Sequence, residues 1–325
     1  LGFLWGDAGS LYGGLFRIDG YALFFKAVLI TIGIFTVLSS IDYVKKYLDH
    51  PGEYYGILVF TILGMVLLAS SAELLTAYIS LELLSFGLYA LVGFDRYNPK
   101  SNEASTKYIL LGAVSSAIML YGISQIYGLL GTTRFDEIAI SLAALPELSP
   151  GLIIGIVFLI SGLAFKIAAV PFHMWAPDVY EGAPTPITAY LAVGSKAAAF
   201  ALILRLFSEA LIPFISDWQI IIAIFAALTM TVGNLGALVQ TNIKRLLAYS
   251  SIGHVGYLLL GIAALARVDG GETVSVATMH LAANGVMLHI VAYAAANLTV
   301  FLVITAIYKT PGNETLSGLA GLGAV

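Results

Sequence analysis

The sequence predicts an all-α polytopic membrane protein, a helix bundle of about nine spans forming a single membrane domain over residues 1–325. Three observations carry that expectation. First, 59% of the residues are hydrophobic and only 10% charged, with a mean hydropathy of +0.94, whereas soluble domains carry roughly 25% charged residues. Second, the apolar runs have the length of membrane helices and do not alternate over ten residues as barrel strands do. Third, no polar linker separates off a soluble domain.

Residues 1–20 mix Gly with Arg17 and Asp19 and read as a loop or peripheral segment. A first span is expected over about 21–41, closed by Asp42, Lys45, Lys46, Asp49, His50, Pro51 and Glu53. The apolar stretch over about 55–94 fits two spans, joined tightly at Ser70-Ser71-Ala72-Glu73. After the polar loop Asp95 to Glu103, a fourth span covers about 104–128. A longer loop follows, with Arg134, Asp136, Glu137, Pro146 and Pro150. Further spans are expected at about 151–174, 186–207, 218–238 and 243–265. The last run, about 276–308, is long enough to be tilted or broken, with Asn284-Gly285 as the break. The chain begins at Leu1 without a charged leader and ends in Gly318-Leu319-Ala320-Gly321, so it reads as a piece of a longer protein at both ends.

Charge gives an orientation. Lys45, Lys46, Arg96, Lys100, Lys244, Arg245 and Lys309 fall on one side, against Arg17, Arg134 and Arg267 with Arg205 nearby on the other. The richer side is expected to be cytoplasmic. Nothing suggests nucleic-acid binding, which needs an exposed basic patch. Cys is absent, which excludes Cys-ligated iron–sulfur clusters and disulfides in this chain.

The chemistry lies in ionisable groups inside the apolar runs. Such groups are costly in hydrocarbon and mark function by default. Lys166 sits in the fifth run, followed by Pro171 and His173. On one continuous helix, His173 would lie on nearly the same face, about 10 Å along the axis. Pro171 removes a backbone N–H, so the helix is expected to break there and to border a hydrated cavity. Lys196 lies among Gly194, Ser195 and three alanines, which leave room for water. A lysine without counter-charge there can give and take protons, because hydrocarbon penalises its charged form. Glu82 is mid-span, with Tyr78, Ser85 and Tyr89 on its face. A buried carboxylate wants a cation, and Lys166 or Lys196 could supply it. His254, with Ser250, Ser251 and Tyr257 at helical spacing, can relay protons by exchanging donor and acceptor roles.

Each group also has a plainer reading. Lys166 could snorkel beside a structural kink, though it lies deep for that. Lys196 and Glu82 could belong to fixed ion pairs, and His254 could be an interhelical hydrogen-bonding residue. His280, Asn284 and His289 read more naturally as structural. Glu103 and Lys107, at i, i+4, read as an interfacial salt bridge. No nucleotide loop, HExxH motif or nucleophile elbow appears. Five histidines could in principle ligate haem, as in a membrane cytochrome, but that leaves the buried lysines unexplained.

At these residues the chain resembles a known family. The segment Gly162 to Pro186, followed by Ser195-Lys196, is similar to the antiporter-like membrane subunits of respiratory complex I and of multisubunit cation/proton antiporters. Ser80 to Ser85, Glu103 to Gly122, Gly233 to Gly261 and Ala292 to Phe301 look most like the NADH-quinone oxidoreductase branch. The resemblance implies a fold of about fourteen spans built from two inverted repeats, each with one broken helix. The first repeat would cover about 55–207 and a partial second about 218–325. About two spans before this stretch and three after it would be missing, including a second broken helix. The resemblance pairs Glu82 with Lys166 and makes Lys196 the central lysine and His254 a histidine of the mid-membrane axis. His289 stands where an aromatic or apolar residue is expected, so no role is carried onto it. The expected function is proton translocation coupled to quinone reduction, through Glu82, Lys166, Lys196, His254 and His173, in a chain with no cofactor of its own. Its expected partners are the lipid bilayer and the other membrane subunits of complex I, in the inner membrane of a bacterium or an equivalent organelle membrane. A cation/proton antiporter subunit is the alternative.

Overall fold

A computed structural model describes residues 8–265, 276–307 and 314–319. Arg267 and Lys309, used in the charge count, and the terminal run beyond Leu319 lie outside the described residues. Among the described residues, nine helices are long and apolar enough to cross a membrane.

The helices are α1 (Gly20–Tyr47), α2 (Pro51–Leu68), α3 (Leu74–Val92), α4 (Pro99–Leu130), the short α5 (Phe135–Ala143), α6 (Pro150–Ile167), α7 (Trp175–Gly182), α8 (Thr185–Tyr190), α9 (Lys196–Arg205), α10 (Ile215–Leu238), α11 (Ile243–Ala263) and α12 (Val276–Ile307). Their starts are written locally. Asp19, Glu73, Asn98, Ser149 and Asn242 cap α1, α3, α4, α6 and α11 by accepting first-turn N–H groups, the bonds a helix start otherwise lacks. Proline stands at the first helical position of α2, α4 and α6, where a missing N–H costs nothing. Gly131, at φ +75°, ends α4.

The loop expected at residues 1–20 contains a small hairpin, β1 (Gly9–Leu11) antiparallel to β2 (Phe16–Ile18). Its N–H and C=O groups pair with each other and with the α2–α3 turn, where Arg17 N–H bonds the Ser70 carbonyl at 2.8 Å.

The expected break of the fifth span near Pro171 is present, and a second expected break, at Asn284-Gly285, is corrected. The fifth span is not one helix over about 151–174. Helix α6 stops at Ile167, where Ala168 turns left-handed (φ 59°) and its N–H bonds the Phe165 carbonyl. The chain turns through residues 168–174 before α7 begins. The break therefore begins before Pro171, which lies inside the turn. Conversely, Asn284-Gly285 does not break the last span: α12 runs unbroken for 32 residues. A glycine costs a helix about 1 kcal/mol, less than exposing backbone groups to hydrocarbon. At 1.5 Å per residue the helix is about 48 Å long, so it tilts or projects beyond a hydrocarbon layer of about 30 Å.

The bundle is organised around Thr185–Ala210, which is buried along its length. Two π-helical turns, Leu191–Ser195 and Leu206–Ala210, bracket α9 within it. Leu38, Phe60, Phe86, Leu110 and Ile220 point outward from the bundle, as apolar side chains of membrane helices can. Small residues let helices meet backbone to backbone. A Cβ on Gly122 would lie 2.6 Å from the Gly155 carbonyl oxygen and 2.7 Å from the Leu159 nitrogen. Neither is a flexible side chain. Gly122→Val is therefore expected to force α4 and α6 apart and to lower the yield of folded protein severely, read as membrane-extracted monodisperse protein in detergent. Wild-type yield and thermal stability would contradict this packing.

Candidate functional site

The break between α6 and α7 is repaired by neighbours. The Ala169 N–H bonds the Ala164 carbonyl at 2.9 Å. The Trp175 indole N–H donates to the Phe165 carbonyl at 3.0 Å, and the Val170 N–H to Thr229 Oγ1 at 3.1 Å. Backbone freed by the break is thus satisfied without lipid contact. Lys166 ends up in the last turn of α6, not two turns inside a continuous helix. There the helix dipole favours a cation.

Lys166 is buried, and Glu82 on α3 is its counter-ion at 3.1 Å. Its ammonium also reaches Ser85 Oγ at 2.8 Å, Ser116 Oγ at 3.2 Å and Tyr89 OH at 3.4 Å. Ser116 in turn donates to Glu82 Oε1 at 2.6 Å. An ammonium has three donors, and four acceptors surround this one. Lys166 can therefore release Glu82 and stay fully hydrogen-bonded on the two serines and the tyrosine. The Glu82 carboxylate keeps Ser116. Such a pair has two satisfied arrangements instead of one.

Lys196 presents the opposite case. It is buried at the end of the first π turn, and among the described residues it has no ion-pair partner. Its ammonium donates to Ser251 Oγ on α11 and lies 5.8 Å from the centre of the Tyr180 ring. Tyr293 OH on α12 stands 2.7 Å from the same Ser251 oxygen and 3.2 Å from the Ala192 carbonyl. Tyr180 OH is 3.5 Å from Ser251 Oγ. A phenol has one proton, so Tyr293 donates either to Ser251 or to Ala192. When Lys196 is charged, Ser251 accepts from it and can donate to Tyr293, which then donates to Ala192. When Lys196 is neutral, Ser251 can donate to its lone pair and accept from Tyr293. The hydroxyl pair registers the lysine's proton by reversing direction.

His254 faces this cluster. Its ring lies 4.9 Å from that of Tyr293, and its Nδ1 is 3.1 Å from Nε2 of His289. Sequence reasoning treated His289 as structural; the fold makes it the hydrogen-bond partner of His254. The signal was obscured because the two residues lie on different helices. Ser251 was noted only for its spacing from His254, and Ser116 was not noted, since hydroxyls in apolar helices often bond their own backbone. His173 lies half-buried in the turn before α7. It is not on the face of Lys166, because the helix that would have aligned them ends at Ile167.

The structure thus brings together Glu82 with Lys166, and Lys196 with the surroundings of His254. Among the described residues no hydrogen bond joins these two clusters. On the Lys166 side Trp175 stacks on Tyr108 at 4.6 Å, and Tyr108 meets Tyr89 edge-on at 4.6 Å.

Ion pairs mark the two ends of the bundle. At one end the expected Lys107–Glu103 bridge is present at 2.7 Å, and Lys107 also binds Asp178 at 2.7 Å. Arg245 joins Asp178 and Glu181, and Lys100 joins Glu181. At the other end Arg205 grips Asp19 through both oxygens, at 2.9 and 3.0 Å, while Arg17 binds Glu209. Burial pushes the Asp19 carboxyl up, but the hydrogen bonds and charge of Arg205 outweigh it and hold it below the ordinary carboxylate value. Among the described residues, Lys100 and Arg245 thus lie at one end and Arg17 and Arg205 at the other.

A sequence model of the family described as NADH:quinone oxidoreductase/Mrp antiporter, transmembrane, matches residues 71–324. The chain belongs to this family. The family's matched stretch contains Glu82, Lys166, Lys196 and His254. Among relatives, the chain is 46% identical to NADH-quinone oxidoreductase subunit N 2 of Symbiobacterium thermophilum, over 96% of this chain and 62% of that protein. It is 43% identical to NADH-quinone oxidoreductase subunit N of Desulforamulus reducens, over 98% of this chain and 64% of the relative. It spans less than two thirds of the length of these relatives. Among solved structures it resembles a chain of respiratory complex I from Thermus thermophilus, with a TM-score of 0.78 and 32% identity, covering 99% of this chain and 65% of that one. The all-α antiporter-like family architecture is therefore the correct fold class.

Proposed function

We propose that this chain moves protons across a bacterial inner membrane as a non-redox subunit of NADH-quinone oxidoreductase, beside other membrane subunits of that complex. The observation that carries the proposal is the contrast between the two buried lysines. Lys166 has a counter-ion it can exchange for hydroxyls, and Lys196 has a hydroxyl pair that reverses with its proton. The first is an electrostatic switch and the second a relay station. Opening the Glu82–Lys166 pair changes the field at Lys196 and drives its proton onward, with His254 and His289 next in line. His173, in the turn of the broken span, borders the path without belonging to the Lys166 face. Water completes the steps that no side chain bridges. Residues from about 55 to 207 act as one repeat, and those from about 218 onward belong to the second. The names of the relatives favour the quinone-linked branch over a cation/proton antiporter. No redox cofactor is assigned to the chain.

The test is proton uptake by vesicles containing the assembled enzyme. Uptake driven by NADH and quinone, and indifferent to sodium, is expected. Sodium-driven proton flux without NADH would establish the antiporter reading instead. A visible haem band in the isolated chain would replace both with a cytochrome.

A further inference from the structure

A buried ammonium needs something to face. For Lys166 that is Glu82, at 3.1 Å. For Lys196, among the described residues, it is not a carboxylate. Helix α11 supplies the Ser251 hydroxyl, and α12 supplies Tyr293 behind it. On its own span, the Ser195 hydroxyl is turned away onto the Leu191 carbonyl at 2.7 Å. Helix α7 supplies a ring. Tyr180 is fully buried, and its ring centre lies 5.8 Å from the ammonium nitrogen. An aromatic face carries partial negative charge. It attracts a cation within about 6 Å of its centre, most strongly where water is excluded.

The ring is held in place from several directions. The Tyr180 carbonyl accepts from Thr188 Oγ1 at 3.1 Å, and its hydroxyl lies 3.5 Å from Ser251 Oγ. The start of α7 is tied by the Trp175 indole to the Phe165 carbonyl. The charged face of α7 is clamped as well. Asp178 takes Lys107 and Arg245, and Glu181 takes Lys100 and Arg245. Tyr180 therefore cannot swing away from Lys196 without moving a helix that α4 and α11 both hold.

A ring does for a cation what a carboxylate cannot. A carboxylate keeps a buried lysine protonated until the pair is opened, as at Glu82 and Lys166. A ring face attracts the ammonium more weakly and takes no proton from it. The charged form is steadied while the neutral form stays within reach. Tyr89 stands 5.8 Å from Lys166 in the same way, but there Glu82 is the stronger partner. We propose that Tyr180 is a positioning residue for the Lys196 proton, its ring face standing in the place of a counter-ion, a role that rests on the reading of Lys196 as a relay station.

The test is a fluorination series at position 180 of the full-length protein in its assembled enzyme, with NADH-driven proton uptake read in vesicles. Fluorine drains negative charge from the ring face and changes its size little. From Tyr180→Phe as the starting point, phenylalanines with one, two and three ring fluorines are expected to lower uptake step by step, by about fivefold over the series. The midpoint of thermal inactivation is expected to stay constant, since each ring fills the same space. Tyr180→Leu, which removes the ring, is expected to lose at least as much uptake as the trifluorinated variant. Equal uptake across the series, in an enzyme that needs Lys196, would overturn the role of Tyr180 alone. So would a fall in uptake that tracks a falling inactivation midpoint, the mark of a ring that only packs. Full uptake after Lys196→Ala would overturn the relay reading and this role with it.

Discussion

Replacing Lys196 with alanine is expected to cut NADH-driven proton uptake by the assembled enzyme at least tenfold, with assembly intact. The side chain is the one cation of the second cluster, and Ser251, Tyr293 and Ala192 are arranged around its proton. Moving one charge against 100 mV takes about 2.3 kcal/mol. A tenfold rate change corresponds to about 1.4 kcal/mol, so losing a station that carries the charge across hydrocarbon exceeds that threshold. Lys196→Arg is expected to be nearly as damaging. A guanidinium keeps its proton and cannot alternate. Ser251→Ala should give an intermediate loss, because the hydroxyl reversal disappears while the lysine stays. The measurement is proton uptake per electron in vesicles. Full uptake in both lysine variants would remove Lys196 from the path.

Breaking the Glu82–Lys166 pair is expected to act on both stability and transport, and the two effects can be separated. Glu82→Leu leaves a buried ammonium without its counter-ion, which costs about 3–5 kcal/mol and is expected to lower the midpoint of thermal inactivation markedly. Glu82→Gln is milder for folding, since its amide oxygen can still accept from Ser116 and Lys166. It should nevertheless slow proton uptake at least tenfold, because the switch works by charge. The double variant Glu82→Leu/Lys166→Met removes both charges and is expected to recover most of the lost stability while transport stays low. Recovery of transport in the double variant would show the pair to be a structural ion pair alone.

These expectations rest on parts of the molecule that were unevenly legible in the sequence. Number and order of spans followed from apolar length, because hydrocarbon thickness is a fixed ruler. Glu82, Lys166 and Lys196 stood out because a charge in an apolar run is conspicuous. The geometry of the break did not stand out. Pro171 drew attention to itself, but the chain leaves helical geometry at Ala168, a residue type that rarely turns left-handed. Nor could sequence pair residues on separate helices. Spacing alone left open whether Glu82 served Lys166 or Lys196, which only the family resemblance paired, and it missed that Ser251 and Tyr293 serve Lys196. Those pairings are tertiary facts, set where α3 meets α6 and where α9, α11 and α12 come together. Asn284-Gly285 misled for the reverse reason, since the membrane penalises a broken ladder more than a glycine within one.

The π turn at Leu191–Ser195 has a bearing on how this span is to be compared with others. A turn closed over five residues holds one residue more than its neighbours. Everything after it is set back by about 100° around the axis, the angle of one residue in a regular helix. Before the turn, Tyr190 faces Thr61 on α2 at 2.8 Å; after it, Lys196 faces Ser251 on α11. The same residues wound without that extra one would keep their depth in the membrane and lose their bearing. Lys196 thus has a compass direction as well as a depth, and only the depth can be read from a string of letters.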